Sequence, residues 1–195
     1  MGTARRRSRV RPAILSIEMR RREQCRVERL WTPWRAEYVG ADPRPEGCFL
    51  CQKPAEGRDP ENLILCRGEL AFALMNLYPY NSGHLLVAPY KHTGNFAELA
   101  PKVAGEMIAL SQRCVRVLIN VYHPEGFNVG MNLGGVAGAG EPDHLHVHVV
   151  PRWAGDTNFM PVLSETKVLP ESLDQTYARL APHFREVIDT SAARR

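Results

Sequence analysis

The stretch that most constrains this chain is His144-Leu145-His146-Val147-His148-Val149-Val150. Strict alternation over such a run is the period of a strand, so the three imidazoles share one face and Leu145, Val147 and Val149 the other. A fold that carries it must give the apolar face a core and the histidine face a cleft. Pro151 cannot donate to a ladder and is expected to end the strand. A lone strand histidine is usually a polar neighbour of the core. Three at period two point to chemistry in a cleft or, as alternate strand histidines can, to a zinc site.

Composition narrows the class. The chain has 195 residues, 44% hydrophobic and 24% charged, the balance of a globular protein with one core. No apolar stretch approaches bilayer length, so no membrane partner is expected. The net charge of +4 is concentrated at the N-terminus, where Arg5, Arg6, Arg7, Arg9, Arg11, Arg20, Arg21 and Arg22 read as a solvated tail over residues 1–28. Such a tail also suits a transit peptide. No base-reading or stacking motif accompanies it, which disfavours a nucleic-acid partner. The five cysteines are an odd number with one C-x-x-C pair. That fits a cytoplasmic protein with a metal site better than a disulfide framework.

Along the chain, the tail is followed by Leu30-Trp31-Thr32-Pro33-Trp34-Arg35, read as an apolar arm on the domain or on a second subunit. Cys48 and Cys51 form half of a zinc knuckle or a redox pair; the redox reading lacks its strand and helix context. Cys25, Cys66 and Cys114 read as ordinary residues, the last two in the core. Leu63–Cys66 and Leu70–Met75 read as a hairpin, Asn76–Gly83 as a loop, and His84–Pro89 as a strand. Apolar residues at Val103, Met107, Leu110, Cys114, Val117 and Val121 mark one face of a helix from about Phe96, ended by His123–Gly126. Phe127–Leu133 alternates as a strand. Gly134–Gly140 is a glycine-rich loop leading into the triad. A closing helix runs from about Leu169 to Pro182. The body spans 29–185, with a frayed tail over 186–195. Strands with one long inserted helix and another at the end define an α+β fold.

The triad, with Asn76–His84, Phe127–Asn132 and Pro151–Phe159, resembles the signature segments of the histidine triad (HIT) superfamily of nucleotidyl hydrolases and transferases. The resemblance runs from about Leu30 to Leu173. It is greatest to the bacterial branch near the diadenosine polyphosphate hydrolases and diadenosine tetraphosphate phosphorylases. It implies a five-stranded antiparallel sheet with helices on one side, and a homodimer or higher homo-oligomer.

The resemblance also implies a site. His146 would be the nucleophile, attacking an α-phosphate as a neutral imidazole to give a nucleotidyl–histidine intermediate. The backbone carbonyl of His144 would hold its tautomer. His148 would contact the phosphate or the bridging oxygen, and His84 would lie beside the nucleophile and that carbonyl. Asn132 matches a residue that contacts the α-phosphate, and Asn76 one that binds ribose. Gly138 and Gly140 belong to the loop whose backbone can approach phosphate closely. Leu74 and Leu85 are candidates to sandwich the base, or simply core. In zinc-containing members two histidines complete the cysteine pair; here they are His92 and His144, which implies a structural Cys48, Cys51, His92, His144 zinc site and no organic cofactor. One departure stands out. Where many members have Gly-Gln-Ser or Gly-Gln-Thr before the triad, this chain has Ala139, Gly140 and Glu141.

Three functions compete on these residues. The leading one is cleavage of dinucleoside polyphosphates such as diadenosine tetraphosphate, with water or inorganic phosphate as acceptor. The second is an adenosine 5′-phosphoramidase, disfavoured by Glu141 where that branch has serine. The third is a nucleotide- or zinc-binding module without turnover, for which a histidine at position 146 has no purpose.

Overall fold

The computed structural model describes residues 47–156 and 170–192. The arginine-rich segment 1–28 with Cys25, the Trp31 and Trp34 arm, Thr157–Phe159, and 193–195 lie outside the described residues.

Five strands form one antiparallel sheet: β1 (Ile64–Arg67), β2 (Ala71–Met75), β3 (Leu85–Pro89), β4 (Gly126–Gly130) and β5 (Val147–Arg152), in the order β1-β2-β3-β5-β4. A short helix α1 (Phe49–Ala55) precedes the sheet, α2 (Pro101–Tyr122) joins β3 to β4, and α3 (Leu173–Ala192) follows β5. The three-and-four spacing on α2 does what amphipathic spacing must: Met107, Leu110, Cys114, Val117 and Val121 are all buried. They share one core with Val87, Val147 and Val149 of the sheet and with Leu180 and Phe184 of α3. The other face carries a smaller core in which Leu50 of α1 joins Ile64, Phe72, Leu74, Leu86 and Ala88.

This two-sided arrangement positions the histidines. Val147 and Val149 point into the helix-side core, so His148 between them points to the other face. Its register partner on β3 is Leu86, a member of the smaller core. On β4 its partner is Gly130, which brings no side chain over it.

Several boundaries differ from those read in the sequence. The triad strand starts at Val147 and runs through Pro151 to Arg152, so His144 and His146 precede it. Pro151 is tolerated for a geometric reason. The N–H and C=O of one strand residue point to the same side. The Pro151 carbonyl accepts from the Asn81 side chain at 3.0 Å, while the described pairing of β3 with β5 stops at Leu85 opposite Val149. The missing N–H therefore removes no ladder bond. Helix α2 begins at Pro101 and not near Phe96: proline suits the first helical turn, and it holds Ala100 in an extended conformation (ψ 133°). Its end at His123 is as read, with that residue left-handed (φ 47°) before Pro124. Strand β4 stops at Gly130, three residues short of Leu133. Helix α3 begins at Leu173, where Ser172 and Gln175 cap one another reciprocally. It continues through Pro182 to Ala192, beyond the expected stop. Leu180, Ala181 and Phe184, buried around that proline, hold the helix on course. Helix α1 had no signal in the sequence beyond its cysteines.

Gly83 is the glycine the fold most needs. Its φ is +78°, and a Cβ there would stand 2.9 Å from a Leu118 methyl of α2. Gly83→Ala is expected to lower stability by about 1–3 kcal/mol, from strain and overpacking together. Urea denaturation followed by circular dichroism reads this as a lower midpoint at unchanged slope.

Candidate active site and metal centre

Two centres share the residues around the start of β5. The first is built on His146, which is 6% exposed. Its Nδ1 lies 2.8 Å from the backbone carbonyl of His144. A carbonyl only accepts, so the neutral ring donates from Nδ1 and keeps the lone pair on Nε2. Burial pushes the His146 pKa below its ordinary value of 6.5; the His144 carbonyl and the Glu141 carboxylate oppose this without reversing it. The ring is therefore neutral at pH 7, the state a nitrogen nucleophile requires. His148, half-buried, lies next to it, with ring centroids 4.9 Å apart.

His84, expected beside the nucleophile, is almost fully buried and bonds to the next histidine: its Nε2 is 3.0 Å from His148 Nδ1. Asn76 turns its side-chain nitrogen toward His84 Nδ1 at 3.2 Å, while its oxygen accepts from the Tyr78 N–H at 3.0 Å. Asn132 donates to the Gly138 carbonyl at 3.3 Å and so fastens the base of the glycine-rich loop. Gly138 itself is left-handed (φ 85°) after a short 3-10 turn over Gly135–Ala137, and Gly140 is half-buried. Leu74 and Leu85 are fully buried, one in each core. Both are therefore core residues, packed within those clusters.

The second centre is the cluster Cys48, Cys51, His92 and His144, whose ligand atoms all lie within 4.8 Å of one another. Cys48 Sγ is 3.2 Å and Cys51 Sγ 3.4 Å from His144 Nδ1; His92 Nδ1 is 3.4 Å from Cys51 Sγ and 3.2 Å from His144 Nδ1. A tetrahedral ion with ordinary metal–sulfur and metal–nitrogen bonds separates its ligand atoms by about 3.3–3.8 Å, so this set can hold a metal. The donor chemistry agrees. His144 Nε2 donates to the Pro89 carbonyl at 2.8 Å, which leaves Nδ1 unprotonated on the cluster side. Burial, with smaller contributions from Glu141 and Cys51, pushes the Cys48 thiol up to about 11; a bound cation would reverse that and hold a thiolate. Cys48 is the N-cap of α1 and Cys51 lies in its first turn, which is what brings the pair together.

Sequence reasoning missed three supports. The Pro89 carbonyl, which accepts from His144, and the Tyr80 N–H, which donates to His84 Nδ1 at 3.1 Å, carry no sequence signal: every residue has the carbonyl, and every one but proline the N–H. The Asp156 carboxylate accepts from Arg152, Asn81 and the Trp153 N–H, tying the end of β5 to the loop before His84. Arg152 holds that carboxyl well below the usual carboxylate range.

The chain matches the family model described as HIT domain over residues 58–155. It is 42% identical over 169 residues to the AP-4-A phosphorylase of Mycobacterium tuberculosis, covering 83% of this chain and 87% of that protein. Among solved structures it superposes on a histidine triad nucleotide-binding protein from Sulfolobus tokodaii with TM-score 0.57 and 26% identity, covering 73% of this chain and 93% of that one. A Zn-bound histidine triad family protein from Mycobacterium smegmatis gives TM-score 0.54 at 24% identity, over 66% and 87% of the two chains. The fold and the triad are those of a HIT-domain protein, and this chain belongs to that family.

The lowered pKa values of His144 and His146 set a pH dependence for the metal-free chain. Between the folded values and the unfolded value near 6.5, the unfolded state binds more protons, so stability rises with pH. It is complete above that unfolded value and falls as pH drops through it toward the folded values. Asp156, whose pKa is lowered, acts in a separate window below its ordinary 3.8. The urea midpoint of metal-free protein is expected to fall between pH 7.5 and 5.5, and replacing both histidines by asparagine should flatten that slope.

Proposed function

We propose that this chain is a nucleotidyl-transferring enzyme that cleaves dinucleoside polyphosphates, such as diadenosine tetraphosphate, at an α-phosphate. The observation that carries the reading is the hydrogen bond from His146 Nδ1 to the His144 carbonyl, which leaves the Nε2 lone pair on a neutral, desolvated ring. Likeness to a protein named AP-4-A phosphorylase supports the substrate class. In the first step the Nε2 lone pair forms a bond to the α-phosphorus. The bond from phosphorus to the bridging oxygen breaks, and the remaining nucleotide leaves with the electron pair. In the second step water or inorganic phosphate attacks the same phosphorus and the P–N bond breaks. His148 contacts the phosphate or bridging oxygen. Such a reaction depends mainly on positioning and on stabilising oxygen charge. Backbone donors of the loop around Gly138 and Gly140, with Asn132, serve the α-phosphate, and Asn76 serves the ribose. Exposed Leu77 and Tyr78 on the same loop replace Leu74 and Leu85 as apolar surface for a base.

The metal is proposed to be zinc in a structural role. Its four candidate ligands are all protein side chains, two sulfur and two nitrogen, the closed pattern of structural sites. It would clamp α1 and the segment after β3 to the start of the triad. We place the protein in the cytoplasm, where the thiols of Cys48, Cys51, Cys66 and Cys114, all unbridged, are at home. No helix of the described residues is long and apolar enough to cross a membrane. The protein acts as a homodimer: β4 is an edge of the sheet with Val129 52% exposed, a surface that invites pairing with another copy.

Product analysis with diadenosine tetraphosphate tests the activity. ADP plus ATP appearing only with inorganic phosphate makes the protein a phosphorylase; AMP plus ATP without phosphate makes it a hydrolase. Either activity should fall by at least about 10³-fold in His146→Ala. Absence of cleavage under both conditions overturns the reading. Native mass spectrometry tests the rest: the expected species is two chains with one zinc each. Cys48→Ser with Cys51→Ser should lose the metal and lower the thermal midpoint, whereas a metal-free parent of equal stability would sink the structural role.

A further inference from the structure

We propose that Glu141 is a specificity-determining residue that turns the second step toward water and away from inorganic phosphate, so that the chain acts as a hydrolase. This deepens the reading above and rests on it. Glu141 follows Gly140 of the glycine-rich loop and comes three residues before His144. Its carbonyl accepts from the His144 N–H at 3.4 Å, which closes a turn at the approach to the triad. The segment after β3 fixes that turn. Leu145 donates its N–H to the Thr93 carbonyl at 2.8 Å. Gly94 packs so closely that a Cβ there would stand 2.6 Å from the Pro142 carbonyl oxygen and 3.1 Å from Asp143 Cα. The half-buried Glu141 side chain therefore leaves from a backbone that cannot swing away.

Its charge is felt at both centres, on the Cys48 thiol and on the His146 ring. Among the described residues Glu141 is the charged side chain that acts on that ring, and no lysine or arginine offsets it. Arg152, on the same strand as His148, is occupied by Asp156 at 2.6 and 2.8 Å. An acceptor that approaches His146 in the second step thus enters a negative field. In a partly buried site that field is weakly screened by salt.

The consequence is a choice between acceptors. A carboxylate only accepts hydrogen bonds, so it can take one from water. Inorganic phosphate near neutral pH is largely a dianion, and its oxygens meet the carboxylate with like charge. The dinucleoside polyphosphate tolerates the same carboxylate better. Each of its bridging phosphates carries one charge, and its base and ribose have contacts of their own. Free phosphate brings neither. With either acceptor an oxygen bonds to the α-phosphorus, and the P–N bond breaks with its electron pair returning to His146 Nε2. Water gives AMP and releases one proton to solvent, whereas phosphate gives ADP.

The test measures the ratio of ADP to AMP that the full chain forms from diadenosine tetraphosphate at pH 7.5, with rising inorganic phosphate at constant ionic strength. Both products come from one intermediate. The ratio therefore reads the acceptor alone, and a variant that merely folds less well lowers the total without moving it. The parent should give mainly AMP even in a large excess of phosphate. Glu141→Gln and Glu141→Ser, which remove the charge, should raise the ratio at least about tenfold, a modest effect for a like charge beside a dianion. ADP as the main product of the parent, or a ratio unmoved in both variants, overturns the proposal. Absence of cleavage overturns the proposed function, and the role of Glu141 is then decided by phosphorus NMR of inorganic phosphate itself. Its resonance should broaden with Glu141→Gln and not with the parent; broadening with the parent, or with neither, overturns the proposal.

Discussion

The 2.8 Å hydrogen bond from the His146 ring to the His144 carbonyl is the contact on which the rest of the site depends. It settles which nitrogen of His146 carries the lone pair, and it needs that carbonyl held still. His144 is fixed from several directions at once. Its Nε2 donates to the Pro89 carbonyl at the end of β3, its Nδ1 faces the two thiols, and its neighbour Leu145 donates a backbone N–H to the Thr93 carbonyl. One residue thus serves the Cys–His cluster with its ring and His146, the proposed nucleophile, with its backbone. That shared use explains why the cluster sits directly against the triad.

The sheet supplies the remaining order. Antiparallel pairing of β3 with β5 sets His148 opposite Leu86, and the loop before β3 brings Tyr80 and His84 to the same place. The helix-side core immobilises the alternate residues Val147 and Val149. Buried residues on one face therefore pay for precision on the other. Glu141 introduces a negative charge that acts on both centres, raising the Cys48 thiol and the His146 imidazole alike. That carboxylate stands where the resemblance leads one to expect a neutral side chain.

Much of this was legible from residues alone. Period-two alternation correctly put Val147 and Val149 in the core with His148 on the opposite face, although His144 and His146 precede the strand. Period-three-and-four spacing found α2. The cysteine pair and two distant histidines were joined by resemblance and are together in space. The failures have a common cause. Proline was read as a stop at both Pro151 and Pro182, yet one lies where no ladder bond is due and the other inside a helix anchored by Leu180 and Phe184. For Leu74 and Leu85 the two readings, base contact or core, are resolved by packing: one lies in each core.

What the sequence by itself determined is the set of chemical groups and their local periodicity: a histidine run at strand spacing, one long amphipathic helix, a C-x-x-C pair, and the α+β class that follows. These are properties of neighbours in the chain, and local sterics and hydrophobic burial enforce them. What only the tertiary structure decided is the state of those groups. The tautomers of His84, His144, His146 and His148 are set by the Tyr80 amide and the carbonyls of Pro89 and His144. Apart from the N–H that proline lacks, backbone groups are the same in every residue, so sequence cannot say which of them will meet a given ring; that follows from how the chain folds.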